Sequence, residues 1–201
     1  MELRNEGETL SQPLPAREGS GYSQDGKSGN KTIYSPPLQG GAGRWVSDCS
    51  LDSDLEMYFP DQYVPSDSER MLLYRELDGL QTDEQLAAYR QRLVDRFGAV
   101  PHVGEELMRV VVLRRIGKSL GCEKIMLKQG RMTLFFVSSP TSPFYVSDTF
   151  DSILSFVACN PRRCNFREQN GKRSMVISGI PTVEAAVQLL SQMQTKEKTI
   201  E

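Results

Sequence analysis

The chain has 201 residues, enough for one domain of ordinary size and a tail. Its 24 basic and 26 acidic residues leave a formal net charge of -2, so no global field draws it to nucleic acid or an anionic membrane, and no basic stripe stands out. Four scattered cysteines, no signal peptide and a longest apolar run of only Val110 to Leu113 predict a reduced, cytoplasmic, soluble protein without a membrane span.

Residues 1–45 are dense in Gly, Pro and Ser and poor in apolar side chains. Such a segment cannot offset its own ordering entropy, so it is expected to be a disordered linker or insertion. Within it, Gly21 to Ser28 matches the phosphate-loop pattern G-x-x-x-x-G-K-[ST] letter for letter. That chemistry requires a buried strand before the loop and a helix after it. Pro-rich sequence precedes the match and Asn30 to Pro37 is a poor helix start, so no nucleotide site is expected there.

A globular unit is expected from residue 46 to 196, with 197–201 as a tail. Leu55-Glu56-Met57-Tyr58-Phe59 alternates as a strand does and stops at Pro60. Ser66, Asp67 and Ser68 are N-cap candidates for a helix burying Leu73, Leu77 and Leu80. Thr82 with Gln85 three residues on is a capping box opening a second helix, whose stripe is Leu86, Tyr89, Leu93 and Phe97. Gly98 offers a left-handed stop, and Pro101 suits the first turn of a third helix closing at Gly121.

The period then changes. Lys124 to Leu127 and Met132 to Val137 flank Gln129-Gly130-Arg131 as a hairpin, and Ser147-Asp148 opens a helix burying Phe150, Ile153, Leu154 and Val157. A second hairpin turns at Asn170-Gly171, between Cys164–Glu168 and Ser174–Ser178. A last helix starts near Pro181 and buries Val183, Val187, Leu190 and Met193. The predicted fold class is α+β: an N-terminal strand and three-helix segment, then a ββαββα antiparallel sheet layer with helices packed on it.

Residues that carry chemistry are sparse. Cys159 and Cys164 lack a second ligand pair for zinc, and His102 is the sole histidine, so neither a metal site nor Cys-His or Ser-His-Asp catalysis is expected. Cys122 reads as a small buried hydrophobe. Glu105-Glu106 and Asp83-Glu84 sit in first helical turns, where carboxylates favour the positive end of the helix dipole. Arg114-Arg115 and Arg162-Arg163 read as solvated faces in a chain so nearly neutral. Asp95 and Arg96 do not face the apolar stripe of their helix and are left at the surface beside a rigid corner. No catalytic constellation emerges, and three well-punctuated helices without one suggest a docking module rather than an enzyme.

Tyr63-Val64-Pro65, the helix Ser68-Glu69-Arg70-Met71-Leu72-Leu73-Tyr74 and above all Asp95-Arg96-Phe97-Gly98-Ala99-Val100-Pro101 resemble the C-terminal domain of the bacterial transcription-repair coupling factor family. The resemblance covers about residues 47 to 193. It implies a domain without ATPase motifs of its own, set after an ATP-dependent DNA translocase motor of helicase type. That domain contacts a UvrB-like module of the parent protein and masks the UvrA-binding surface until RNA polymerase is engaged. ATP, magnesium and DNA would then belong to motor domains absent here, and the chain would be a C-terminal fragment with no cofactor. The partner-docking residues it implies are Arg92, Asp95 and Arg96. Some relatives carry Glu where this chain has Arg92, a charge reversal. An alternative reading is an independent nucleic-acid-binding α+β module using Phe135, Phe136 and Phe166 on an open sheet and the Arg162-Arg163 turn.

Overall fold

A computed structural model describes residues 45–194. The expectations for residues 1–44, the phosphate-loop match among them, and for the tail lie outside the described residues. The elements run β1 (Ser50–Ser53), α1 (Asp67–Asp78), α2 (Asp83–Phe97), α3 (His102–Ser119), β2 (Cys122–Lys128) and β3 (Arg131–Phe136). A short 3-10 turn (Pro143–Val146), α4 (Asp148–Cys159), β4 (Cys164–Gln169), β5 (Lys172–Ser178) and α5 (Val183–Gln194) complete the order. The class is α+β, with five α-helices and one five-stranded sheet among the described residues, in the order β1-β2-β3-β5-β4.

The two hairpins form where their turn residues demand. Gln129 and Gly130 have φ of 54° and 67°, and Asn170 and Gly171 have 52° and 72°, the paired positive φ that twists two strands back on each other. β2-β3, β3-β5 and β5-β4 pair antiparallel, as expected.

The first strand is a correction. It is Ser50–Ser53 rather than Leu55–Phe59, and it pairs parallel to β2, with Leu51 opposite Ile125. The sheet is therefore mixed. The alternation of Leu55, Met57 and Phe59 has another cause: this irregular segment passes from one hydrophobic cluster to a second, dropping alternate side chains into each. Leu55 packs on the first cluster, Met57 on both, and Phe59 lies inside the second.

The larger cluster lies between one sheet face and the helices. Leu51, Ile125, Leu127, Met132, Leu134, Phe136, Met175 and Ile177 meet residues of α3, α4 and α5 there. The smaller cluster gathers Phe59, Val64, Leu77, Tyr89 and Leu93 against Leu107, Met108 and Val111 of α3. α3 is thus central, entering both clusters and buried at positions from Gly104 to Gly117, with Glu106 and Arg114 among the enclosed residues. At Gly117 a Cβ would come within 2.6 Å of Ile125 Cδ1 and 2.9 Å of Cys49 Sγ, so only glycine lets α3 approach the sheet there. Leu154 was expected inside but is 41% exposed, because α4 lies at the rim of the layer, packed mainly on α5, β4 and the 3-10 turn. No helix among the described residues is long and apolar enough to cross a membrane.

Candidate functional site

The corner built by α1 and α2 carries the predicted docking residues. Ser66 caps α1 by accepting from Glu69 N at 3.3 Å. The Thr82–Gln85 box closes both ways, Gln85 N donating to Thr82 Oγ1 and Thr82 N to Gln85 Oε1, each at 3.2 Å. α2 ends at Gly98 with φ 85° and ψ -162°, so the stop needs glycine as expected but is not the ordinary left-handed helical conformation.

Side chains then lock the corner to its surroundings. Tyr89 donates its hydroxyl to Leu73 O at 3.0 Å, joining α2 to α1. Tyr63 donates to Leu93 O at 3.2 Å and Gly98 O at 3.1 Å, tying the 60–65 loop to the end of α2. Phe59 stacks on Tyr74 with ring centroids 5.5 Å apart, and its N–H donates to the Tyr74 hydroxyl at 3.0 Å. Arg70 reaches back to Val64 O at 2.6 Å and pairs with Asp61 at 3.0 Å. Arg90 pairs with Glu105 of α3. Burial, followed by the nearby Glu105 carboxylate, pushes the Tyr63 pKa up, so the hydroxyl keeps the proton it donates.

Arg92, Asp95 and Arg96 are all exposed, as the sequence suggested. They are nevertheless partnered. Arg92 pairs with Glu76 and Arg96 with Glu69, two ion pairs running from α2 to α1. Arg92 also lies over the Tyr89 ring at 5.8 Å, and Arg96 over Phe97 at 5.2 Å. Asp95 accepts from Gln91 Nε2 at 2.8 Å along its own helix. Arg92 thus has a local carboxylate to balance it, which accommodates the charge reversal noted in the sequence. Phe97 is half-buried against Tyr63 rather than enclosed.

Sequence reasoning missed what these pairs frame. Leu72 stands three residues after Glu69 and four before Glu76, so the three share one stripe of α1. Leu72 is 63% exposed and its neighbour Met71 is 53% exposed. Leu72 is therefore bracketed by the Arg96–Glu69 and Arg92–Glu76 bridges, while Met71 lies about 100° further round the exposed side of α1. The available signal was the run Met71-Leu72-Leu73-Tyr74, since no helix can bury four consecutive residues on one face.

The other candidates separate cleanly. His102 is exposed at the start of α3, whereas Cys122 follows its far end and is fully enclosed. Eighteen residues at ~1.5 Å each put them about 27 Å apart, so no Cys-His pair forms. Among the described residues no group of three or more His, Cys, Asp or Glu could hold a metal ion. Arg114 is a correction: it is buried rather than solvated, donating to Cys49 O at 2.8 Å, Asp78 at 2.6 Å and Asp48 at 3.0 Å. Arg115 pairs with Asp83 and donates to Gln81 O. Glu106 is also buried, accepting from Val183 N at 2.6 Å, so it caps α5 rather than its own helix. Phe136 and Phe166 stack in or against the larger cluster, leaving Phe135 alone of the three on the opposite sheet face.

Comparison with known proteins places this geometry. Residues 53–146 match the family model described as TRCF domain. Transcription-repair-coupling factor of Rickettsia bellii is 22% identical over 121 residues, 60% of this chain and 10% of its own length. That of Staphylococcus epidermidis is 27% identical over 93 residues (46% and 8%), and that of Mycobacterium tuberculosis 32% over 74 (37% and 6%). The chain therefore spans about a tenth or less of the curated relatives it matches. A crystal structure of the C-terminal domain of transcription-repair coupling factor superposes with a TM-score of 0.60 at 14% identity, covering 75% of this chain and 96% of that one. Residues 53–146 thus match the TRCF domain family, and the chain shares the fold of the C-terminal domain of transcription-repair coupling factor.

Proposed function

We propose that this chain is a non-catalytic regulatory domain of a transcription-repair coupling factor. In this reading its α1–α2 face docks on the UvrB-like module of the parent protein and so controls recruitment of UvrA in transcription-coupled nucleotide-excision repair. The observation that carries it is the exposed Leu72 between two interhelical ion pairs, with exposed Met71 beside it. An apolar centre with a polar rim is how protein interfaces are commonly built. Two capped helices locked by Tyr63 and Tyr89 present it with little left to order on binding, which lowers the cost of association. The domain itself needs no cofactor in this role; ATP, magnesium and DNA belong to the motor, and RNA polymerase acts on it indirectly.

The test supplies the UvrB-like module in trans to the full chain and measures association. Leu72→Asp, and separately Arg92→Glu with Arg96→Glu, should each weaken binding at least tenfold. These side chains are exposed, so thermal stability should move by no more than about 1 kcal/mol. Undiminished association with both variants folded would remove this face from consideration.

A further inference from the structure

The sheet has a second face, and its charge is the reverse of the chain's. Cross-strand register puts Lys124, Phe135, Ser174 and Arg167 in one row, and Asp52, Met126, Thr133, Val176 and Asn165 in the next. Lys128 and Arg131 face each other in a third row, and Lys172 shares this side of β5. The intervening rows point to the helices: Leu51, Ile125, Leu134 and Met175, then Leu127, Met132 and Ile177, all within the larger cluster. Met126, Phe135 and Val176 belong to neither cluster. Five cations, Lys124, Lys128, Arg131, Arg167 and Lys172, therefore share a face with Asp52 and, just past the end of β1, Asp54, in a chain of net charge -2. Both carboxylates are already taken, Asp52 by Lys128 at 2.9 Å and Lys124 at 3.3 Å, and Asp54 by Gln129 N at 2.9 Å. Arg131, Arg167 and Lys172 are exposed and have no ion pair among the described residues.

We infer that this face binds a single-stranded nucleic acid. Phosphates would lie on Lys124, Lys128, Arg131 and Arg167, and a base would stack on Phe135. Strands about 4.8 Å apart put the ends of the Lys124–Phe135–Ser174–Arg167 row about 14 Å from each other, with the ring between the two cations. A backbone laid across the strands meets charge on either side of a π-face, the pairing that sequence-independent single-strand binding uses. An acidic protein is the weaker fit, because protein interfaces are depleted of lysine at their centre and this face is rich in it. The inference is independent of the α1–α2 docking face.

Fluorescence anisotropy of the full chain with a labelled oligothymidylate of about 12 nucleotides tests it. Binding should saturate at low salt and weaken with a log–log salt slope near -3, about -0.7 for each of four phosphates. Arg131→Glu with Arg167→Glu should lower affinity at least tenfold. Arg92→Glu with Arg96→Glu makes the same change in net charge elsewhere and should leave affinity within about twofold. Phe135→Leu, which keeps apolar bulk and removes the ring, should weaken oligothymidylate binding severalfold without affecting an abasic strand of the same length. No binding, an equal loss from the Arg92 and Arg96 substitutions, or tighter binding to polyglutamate would overturn the inference, the last pointing to an acidic protein instead.

Discussion

Burial pushes the Cys49 thiol up to about 12, with Arg114 opposing and Asp48 assisting, and it pushes Cys122 well above the ordinary thiol value. Cys164 is raised for the same first reason, while Cys159 alone of the four is exposed. Because the thiolate is the nucleophile, alkylation of the folded protein at pH 8 should modify Cys159 within minutes and the other three only on unfolding; peptide mass mapping reads this directly. Rapid labelling of Cys49 would contradict it. The same shift has a signed consequence for stability. The unfolded thiol ionises near 9.0 and the folded one near 12, so across that window the unfolded chain holds fewer protons and stability falls as pH rises. Cys49→Ser should flatten the alkaline fall measured by denaturant unfolding between pH 9 and 11.

Among the elements, β1 and the helical corner are joined by one residue. Arg114 of α3 holds Cys49 O and Asp48 just before β1, and Asp78 at the end of α1. Arg114→Met should cost about 3–5 kcal/mol in urea unfolding, because it leaves two partly buried carboxylates without their shared cation. A loss below about 1 kcal/mol would mean that water solvates them instead. The joint also marks where sequence reading stops. The helix starts at Ser66 and Thr82, both hairpin turns and the stripe Tyr89–Leu93 were legible, because capping, turn chemistry and period are local properties. The parallel pairing of β1 was not, since Ser50–Ser53 carries one apolar residue and is a strand only because β2 offers an edge. Nor could Arg114 be told from its solvated neighbour without the tertiary placement of Asp48 and Asp78. At the proposed docking face, the sequence and its family resemblance singled out Arg92, Asp95 and Arg96 as surface residues, which they are. The acidic partners of the two arginines and the bare Leu72 came instead from how α1 lies against α2.

For the molecule as a whole, the question is whether two hydrophobic clusters make two folding units or one. They share a helix: Val110, Leu113 and Ile116 of α3 enter the larger cluster, and Leu107, Met108 and Val111 the smaller. An 18-residue helix enclosed by both cannot keep its form once either wall leaves, since its stability comes from packing. Met57 packs on both clusters, and Arg114 clamps them electrostatically. Unfolding should therefore be a single cooperative transition. The sole tryptophan makes this measurable, because Trp45 packs edge-on against Phe144 at 5.6 Å and so reports the larger cluster alone. Leu93→Ala removes a fully enclosed side chain from the smaller cluster, about 3 kcal/mol by analogy with buried leucines elsewhere. In one unit, that distant loss must lower the Trp45 fluorescence midpoint by roughly 6–12 °C, and by the same amount as the far-ultraviolet circular dichroism midpoint. A tryptophan transition left in place while part of the helical signal melts early would divide the domain at α3, and the α1–α2 corner would then be free to unfold without the sheet.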